Sequence, residues 1–159
     1  MKLIEQIFGV QVTIDRQGLS QCGPTAHGLP TIRLVYQGSM IFCCVPFDKL
    51  PGRNYTEKRT LLNQTSGQHL KALVDQNNDT SAIFVCKAGS VFYMPAGTFV
   101  LSLALEETRT ATWALGGDEN QLRKALLIIA DLVSTYPSMQ DTNYAPFQAL
   151  LMKFLGSPA

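Results

Sequence analysis

Nucleophilic or metal-ligating chemistry in this 159-residue chain would have to come from four cysteines, two histidines and twelve acids. The densest grouping is Ser20-Gln21-Cys22-Gly23-Pro24-Thr25-Ala26-His27, which sets a thiol and an imidazole close together in sequence. A thiol becomes a nucleophile when a helix N-terminus or a cationic neighbour stabilises its thiolate. Gly28 and Pro30 follow almost at once, so no long helix can open at Cys22. The base would have to be His27 or His69, and neither lies in a clear strand context. The segment reads as a turn that contains a cysteine, with a hydrolase nucleophile at Cys22 as the sharper alternative. Cys22, Cys43, Cys44 and Cys86 form no C-x2-C pair, so a structural zinc site is not expected. They read as reduced and mostly buried, with adjacent Cys43 and Cys44 on opposite faces of one strand. Asp15 and Asp48 read as isolated loop acids. Glu106-Glu107 reads as a solvated turn, and Asp75 and Asp79 as surface acids at a helix end. No P-loop or dinucleotide fingerprint occurs.

The elements that would position these groups are bounded by composition. The length suits one domain. Hydrophobic residues make up 46%, enough for a sizeable core, and charged residues only 16%, below the ~25% of an ordinary soluble domain. So lightly charged a surface fits coverage by a partner or another copy, and fits a deep barrel core equally well. The net charge is +1. The densest basic cluster, Arg53, Lys58 and Arg59, is interrupted by Glu57 and reads as a solvated loop or helix start, so no nucleic-acid partner is expected. Glu5 and Gln6 interrupt the first apolar stretch, which excludes a signal peptide. No run reaches the ~18 apolar residues of a membrane span. An intracellular protein without a membrane partner is the expectation, and the glycosylation patterns at Asn54, Asn63 and Asn78 read as chance.

Along the chain, residues 3–14 alternate loosely as a first strand, with Leu3 to Phe8 open to a short helix. Residues 15–30, rich in Gly and Pro, read as loop. Thr31–Tyr36 and Met40–Val45 read as two strands of a hairpin around Gln37-Gly38-Ser39. Pro46 to Asn54 leaves the sheet. Residues 56–77 read as a helical insertion in two pieces, broken near Ser66-Gly67, with Leu70, Leu73 and Val74 as a stripe on the second. Strands are predicted at Ser81–Cys86, Ser90–Met94, Thr98–Leu105 and Thr108–Leu115, with short connections that favour antiparallel neighbours. Asp118 and Gln121 have the spacing of a capping box. The helix they open carries Leu122, Leu126, Ile129, Val133 and Tyr136 on one face and stops at Pro137. A last helix, Tyr144 to Phe154, carries Phe147, Leu150, Leu151 and Phe154. Both stripes are expected to pack on the sheet or on each other. A dimer interface is the alternative.

Two stretches resemble a cupin barrel, and within cupins a Jumonji-C type domain, especially the divergent fungal forms. Thr31-Ile-Arg-Leu-Val-Tyr-Gln-Gly38-Ser-Met-Ile-Phe-Cys-Cys-Val45-Pro46 is similar to the family's strand, glycine turn and strand. Ala88-Gly89-Ser-Val-Phe-Tyr-Met-Pro95-Ala-Gly97-Thr98 resembles its Pro-Gly-Asp-x4-Pro-x-Gly-x-x-His segment, and Trp113-Ala-Leu-Gly116-Gly117 the strand and glycine pair that follow. The resemblance covers residues 20–120. It implies a mainly β fold with α elements: a double-stranded β-helix, as barrel or sandwich, with a helical insertion and two C-terminal helices. The implied organisation is a β-domain over 1–117 and a helical extension over 118–159 packed on it.

The resemblance also locates what is missing. Active members place a metal-binding histidine where this chain has Val100. Their His-x-Asp/Glu pair would fall at Gly23-Pro24-Thr25, and their 2-oxoglutarate lysine near Met40. None of these residues binds Fe(II) in the way that facial triad requires. The implication is a degenerate, non-catalytic member with no metal and no cofactor, used in binding or assembly. A protein partner or a second copy would engage the C-terminal helices. An alignment shifted by a few residues would make His27 a displaced ligand, and a two-histidine site would then need His69 as well. A structural subunit of a virion or larger complex and a Cys22 hydrolase are the other readings.

Overall fold

The computed structural model describes residues 9–24, 26–135 and 144–156. The described residues form β1 (Gln11–Asp15), β2 (Ser20–Pro24), β3 (Thr31–Gln37), β4 (Ser39–Pro46), β5 (Ala82–Lys87), β6 (Val91–Met94), β7 (Thr98–Ala104) and β8 (Thr108–Ala114). Four helices accompany them: α1 (Tyr55–Gln64) and α2 (Gly67–Gln76) between β4 and β5, then α3 (Glu119–Thr135) and α4 (Tyr144–Leu155). The strands form two four-stranded sheets, ordered β1-β8-β3-β6 and β2-β7-β4-β5, and every pairing is antiparallel. This is the strand order of the jelly roll, the double-stranded β-helix of cupin-like folds.

The order corrects the expected hairpin. β3 and β4 belong to different sheets, so Gln37-Gly38-Ser39 carries the chain across the sandwich. Gly38 has φ 79°, and a Cβ there would lie 2.8 Å from Thr108 Oγ1 and 2.9 Å from its Cα. The Ser39 carbonyl accepts from Leu105 N at 3.0 Å and from Thr108 Oγ1 at 2.8 Å. The turn thus lies directly on the β7–β8 turn, which crosses between the same two sheets. Short connections do not make neighbours here. Among the described residues, the only consecutive strands that pair are β4 and β5, and the helical insertion separates them in sequence.

The 15–30 loop is also corrected, because β2 lies inside it. Gly23 and Pro24 are tolerated there because β2 is an edge strand, paired only with β7. The first strand forms at Gln11–Asp15, while residues 3–8, like Tyr136 and Pro137, lie outside the described residues. Asp15 is not a loop acid. It ends β1 and is buried.

The helices form as their caps dictate. Asn54 accepts from Glu57 N at 3.0 Å and Ser66 from His69 N at 3.4 Å, which divides the insertion where expected. At α3, Asp118 Oδ1 accepts from Gln121 N at 2.8 Å and Gln121 Oε1 from Asp118 N at 3.1 Å, a reciprocal capping box. Leu122, Leu126, Ile129 and Val133 of α3 meet Phe147 and Leu151 of α4 in one buried cluster with Leu29 and Ala114. The stripes therefore pack mainly on each other, while Leu150 remains exposed. A second cluster joins α1, α2 and Leu132 of α3 to the outer side of the β2-β7-β4-β5 sheet through Cys43, Val45 and Phe99. Cys44 belongs instead to the interior cluster between the sheets, so the two adjacent cysteines do face apart.

The crossing turn yields a paired prediction. Gly38→Ala should cost roughly 3 kcal/mol or more in urea unfolding, since positive φ and a backbone collision add. Gly18→Ala, at φ 78° with nothing within 4 Å of its Cβ, should cost only about 1–2 kcal/mol. Equal costs would rule out the turn-on-turn contact as the controlling feature.

Candidate binding site in the barrel interior

Register decides which side chains enter the interior, because directly paired residues share a face. Met40, Phe42 and Cys44 of β4 pair with Ala104, Ser102 and Val100 of β7, and with Cys86, Phe84 and Ala82 of β5. From the other sheet come Thr31, Arg33 and Val35 of β3, paired with Ala114, Thr112 and Thr110 of β8. Phe42 is the hub. Its ring centroid is 4.8 Å from Phe92 and 5.8 Å from Phe84, which themselves meet edge-on at 5.1 Å.

In the sheet that contains β3, the inner face is polar along β1, β8 and β3 as far as Arg33, while Val35, Phe92 and Met94 join the apolar cluster. Thr108, Thr110 and Thr112 are buried in a row, and Thr13 Oγ1 lies 2.7 Å from Thr110 Oγ1. Gln21 Nε2 donates to Asp15 Oδ1. Arg33 stands among these groups. Its Nε donates to Thr112 Oγ1 at 2.9 Å, and its guanidinium carbon sits 5.4 Å from the Phe42 ring centroid, a cation–π distance. Burial lowers the Arg33 pKa, and nearby Asp15 acts in the opposite direction. Sequence reasoning missed both Arg33 and Asp15. The available signal was parity: Ile32, Leu34 and Tyr36 alternate with Arg33, but nothing in the strand alone says which set turns inward.

The residues singled out from the sequence fall in separate settings. Val100 is buried in the interior cluster, opposite Gly23 on β2 and Cys44 on β4. Met40 lies in the same cluster, opposite Ala104 and Cys86. Pro24 pairs with Phe99, and a Cβ at Gly23 would meet the Tyr55 hydroxyl at 3.4 Å. Thr25 lies outside the described residues. Cys22 packs against the cluster beneath α1 and α2, where burial pushes its thiol up to about 11 and Arg59 offsets only part of that rise. His27 adopts φ 59°, with its ring 5.5 Å from Phe147, and burial holds its pKa below the ordinary value. His69 is exposed on α2, its Nδ1 2.9 Å from Ser66 Oγ. Among the described residues, no three His, Cys, Asp or Glu side chains converge to hold a metal ion.

One mouth of the barrel opens into a cavity of about 770 Å³ between the start of β5, the Pro95–Thr98 turn and the first half of α3. Phe84 and Met94 line its barrel side, and Arg123, Lys124, Asp48 and Asp79 bring charge to it. Ser81 Oγ, on its wall, is buried without a hydrogen-bond partner among the described residues. The Pro95-Ala-Gly97 turn frames this mouth and crosses from one sheet to the other, as its motif suggests. Gly97 N donates to Gly28 O at 2.8 Å, and Gly97 O accepts from Phe47 N at 2.8 Å.

No protein-family model matches the chain, and no curated protein matches it. Solved structures do. The chain is similar to Drosophila melanogaster CENP-C bound to CAL1, at 7% identity over 67% of this chain and 64% of that one, with a TM-score of 0.38. It is similar to the Schizosaccharomyces pombe Cnp3 cupin domain, at 17% over 76% and 61%, with a TM-score of 0.43. It is also similar to RmlC from Streptococcus suis in complex with dTDP-D-xylose, at 12% over 72% and 47%, with a TM-score of 0.42. The chain spans less than two thirds of the length of each. The likeness concerns fold alone, and strand order is what assigns the fold.

The Cys22 setting predicts a slow thiol. A pKa near 11 in place of 9.0 leaves a thiolate fraction roughly a hundredfold smaller at neutral pH. Iodoacetamide should alkylate Cys22 at least tenfold more slowly than a free cysteine, with a rate still rising past pH 9. The linkage sign follows. The unfolded thiol ionises first, so this contribution to stability is intact below about pH 9 and is lost as pH rises toward 11. Alkylation at pH 7 faster than free cysteine would overturn this and restore Cys22 as a nucleophile.

Proposed function

We propose that the chain is a cupin-like jelly roll without metal chemistry, which works by protein binding or assembly. Arg33 carries the proposal. Its guanidinium lies in the interior between Thr112 and the Phe42 ring. A divalent cation brought beside this partly buried guanidinium meets like charge where the dielectric is lower than in water, and the repulsion opposes binding. Val100 and Met40 stand where the family resemblance calls for a metal-binding histidine and a co-substrate lysine, and both are packed in the interior apolar cluster. Gly23 and Pro24, where it calls for the ligand pair, offer no side-chain donor to a metal. A hydrolase at Cys22 has against it the raised thiol pKa and a strand, not a helix N-terminus, as its setting.

The same proposal keeps the β-domain over 1–117 and the helical extension over 118–159, with no nucleic-acid partner. The helices contribute a partner surface only through what their mutual packing leaves free. Leu127, Leu150 and Met152 are exposed there, beside a shallow groove of about 310 Å³.

Metal analysis tests the reading. The full chain, purified and then incubated with Fe(II), Mn(II) or Zn(II) before desalting, should retain far less than one equivalent of each. One full equivalent, lost in His27→Ala, would overturn it and make His27 a displaced ligand.

A further inference from the structure

The edge strands of the sandwich are not protected alike. An edge presents unpaired backbone groups to any chain that can pair with them, so edges are ordinarily blunted by proline, an inward charge, shortness or a cover. β1 ends in the buried carboxylate of Asp15. β2 carries Gly23 and Pro24, and the Tyr55 hydroxyl of α1 stands beside it. β6 is four residues long and runs straight into Pro95. β5 has none of these devices. Its six residues include no proline, no glycine and one charge, Lys87, at the last position. Its register with β4 is unbroken from Ala82 to Lys87.

Parity says which backbone groups of β5 are free. Lys87 N donates to Ser90 Oγ at 3.0 Å, and Lys87 O accepts from Ser90 N at 2.9 Å, so these groups turn away from β4. In an antiparallel ladder the N–H and C=O of one residue point to the same side, and the side alternates along the strand. Ala82, Phe84 and Cys86 therefore bond β4, while the N–H and C=O of Ile83 and Val85 point out from the sheet edge. Among the described residues, β4 is the only strand paired with β5. The Ile83 side chain is 43% exposed and that of Val85 54%. On the inner side, Phe84 of β5 and Phe92 of β6 meet edge-on and are only partly buried.

We infer that β5 is a docking edge for an extended segment of another protein, which adds antiparallel as a fifth strand to the β2-β7-β4-β5 sheet. This deepens the protein-binding reading above and rests on it. The backbone dictates the form of the occupant, because an extended strand offers donors and acceptors at the spacing of Ile83 and Val85. Alternation then sets its side chains. Residues opposite Ile83 and Val85 lie beside them on the outer face, where β-branched side chains pack well. The residue between turns inward over Phe84 and Phe92, where a large apolar side chain shields both rings. Charge sets the direction. Lys87 ends the strand and Asp79 precedes it, and neither belongs to an ion pair among the described residues. A segment with an acid at its N-terminal end and a base at its C-terminal end is matched antiparallel and mismatched parallel.

Amide NMR on the full chain, titrated with the peptide acetyl-Glu-Thr-Val-Leu-Val-Thr-Lys-amide, tests this. Binding should saturate, shift the Ile83 and Val85 amides most, and slow their hydrogen exchange by about tenfold or more. The same peptide N-methylated at both valines keeps every side chain and loses the two donors that face β5. It should bind at least about tenfold more weakly. Val85→Pro removes a donor that the β4 ladder does not use, and should weaken binding to a similar extent. Should that variant not fold, the N-methylated peptide decides the matter. No saturable binding overturns the inference, as does equal affinity for the N-methylated peptide or a response centred on the groove between α3 and α4. Ile83 and Val85 amides already slow to exchange in the peptide-free chain overturn it too: at every dilution the chain covers its own edge, and only at high concentration a second copy does. Retained metal would sink the non-metal reading without touching the edge, and a failed titration would do the reverse.

Discussion

The contact between two crossing turns governs this fold. Gln37-Gly38-Ser39 takes the chain from β3 to β4, and Glu106-Glu107 takes it from β7 to β8, each between the two sheets. They lie so close that position 38 has no room for a Cβ against Thr108. Side chains on a strand alternate with a period of two, so fixing where a strand begins fixes every residue that enters the interior. This contact sets that parity for β3 and β8 in one sheet and for β4 and β7 in the other. Phe42 enters and Cys43 leaves, and Arg33 enters and Leu34 leaves, as consequences of one junction.

What enters is unusual for a small barrel. The β2-β7-β4-β5 sheet contributes Phe42, Phe84 and sulfur and aliphatic side chains, and Val35, Phe92 and Met94 meet them from β3 and β6 of the other sheet. That other sheet also contributes threonines, Asp15 and Arg33. Burying such groups costs free energy unless their hydrogen bonds are made. Here Thr112 holds the guanidinium, Thr13 pairs with Thr110, and Gln21 holds Asp15. The interior thus already contains one cation and its own satisfied polar network. That physical fact bears on metal binding more directly than the identity of any single missing ligand.

Much of this was legible in the sequence. The capping box at Asp118 and Gln121, the break at Ser66-Gly67 and seven of the eight strands come from signals within a few residues of one another, and local signals survive folding. β2 was not legible, because Gly23 and Pro24 announce a loop and only the tertiary fact of an edge position makes them acceptable in a strand. The apparent hairpin at Gly38 failed for a related reason. A glycine turn between two apolar strands has the same sequence whether it returns within a sheet or crosses to another. Of the candidate site, the Pro95-x-Gly97 segment pointed to Val100 and the glycine turn at Gly38 pointed to Met40. Nothing pointed to Arg33 or Asp15, since an inward charge on an amphipathic strand is written identically to an outward one.

That last ambiguity has a physical consequence. On β1, β3 and β8 the polar and apolar residues alternate, so one face cannot be chosen without choosing the other. A parity that admits Arg33 and the threonines to the interior must turn Ile32, Leu34, Val12 and Trp113 outward. The apolar stripes of α3 and α4 are spent on each other and on Leu29 and Ala114, and α3 meets that face at its edge, where Gln121 Nε2 donates to the Tyr93 hydroxyl at 3.2 Å. α1 and α2 lie against the opposite sheet. A charged interior and an apolar exterior are therefore not two separate oddities of this chain. They are the two sides of one sheet.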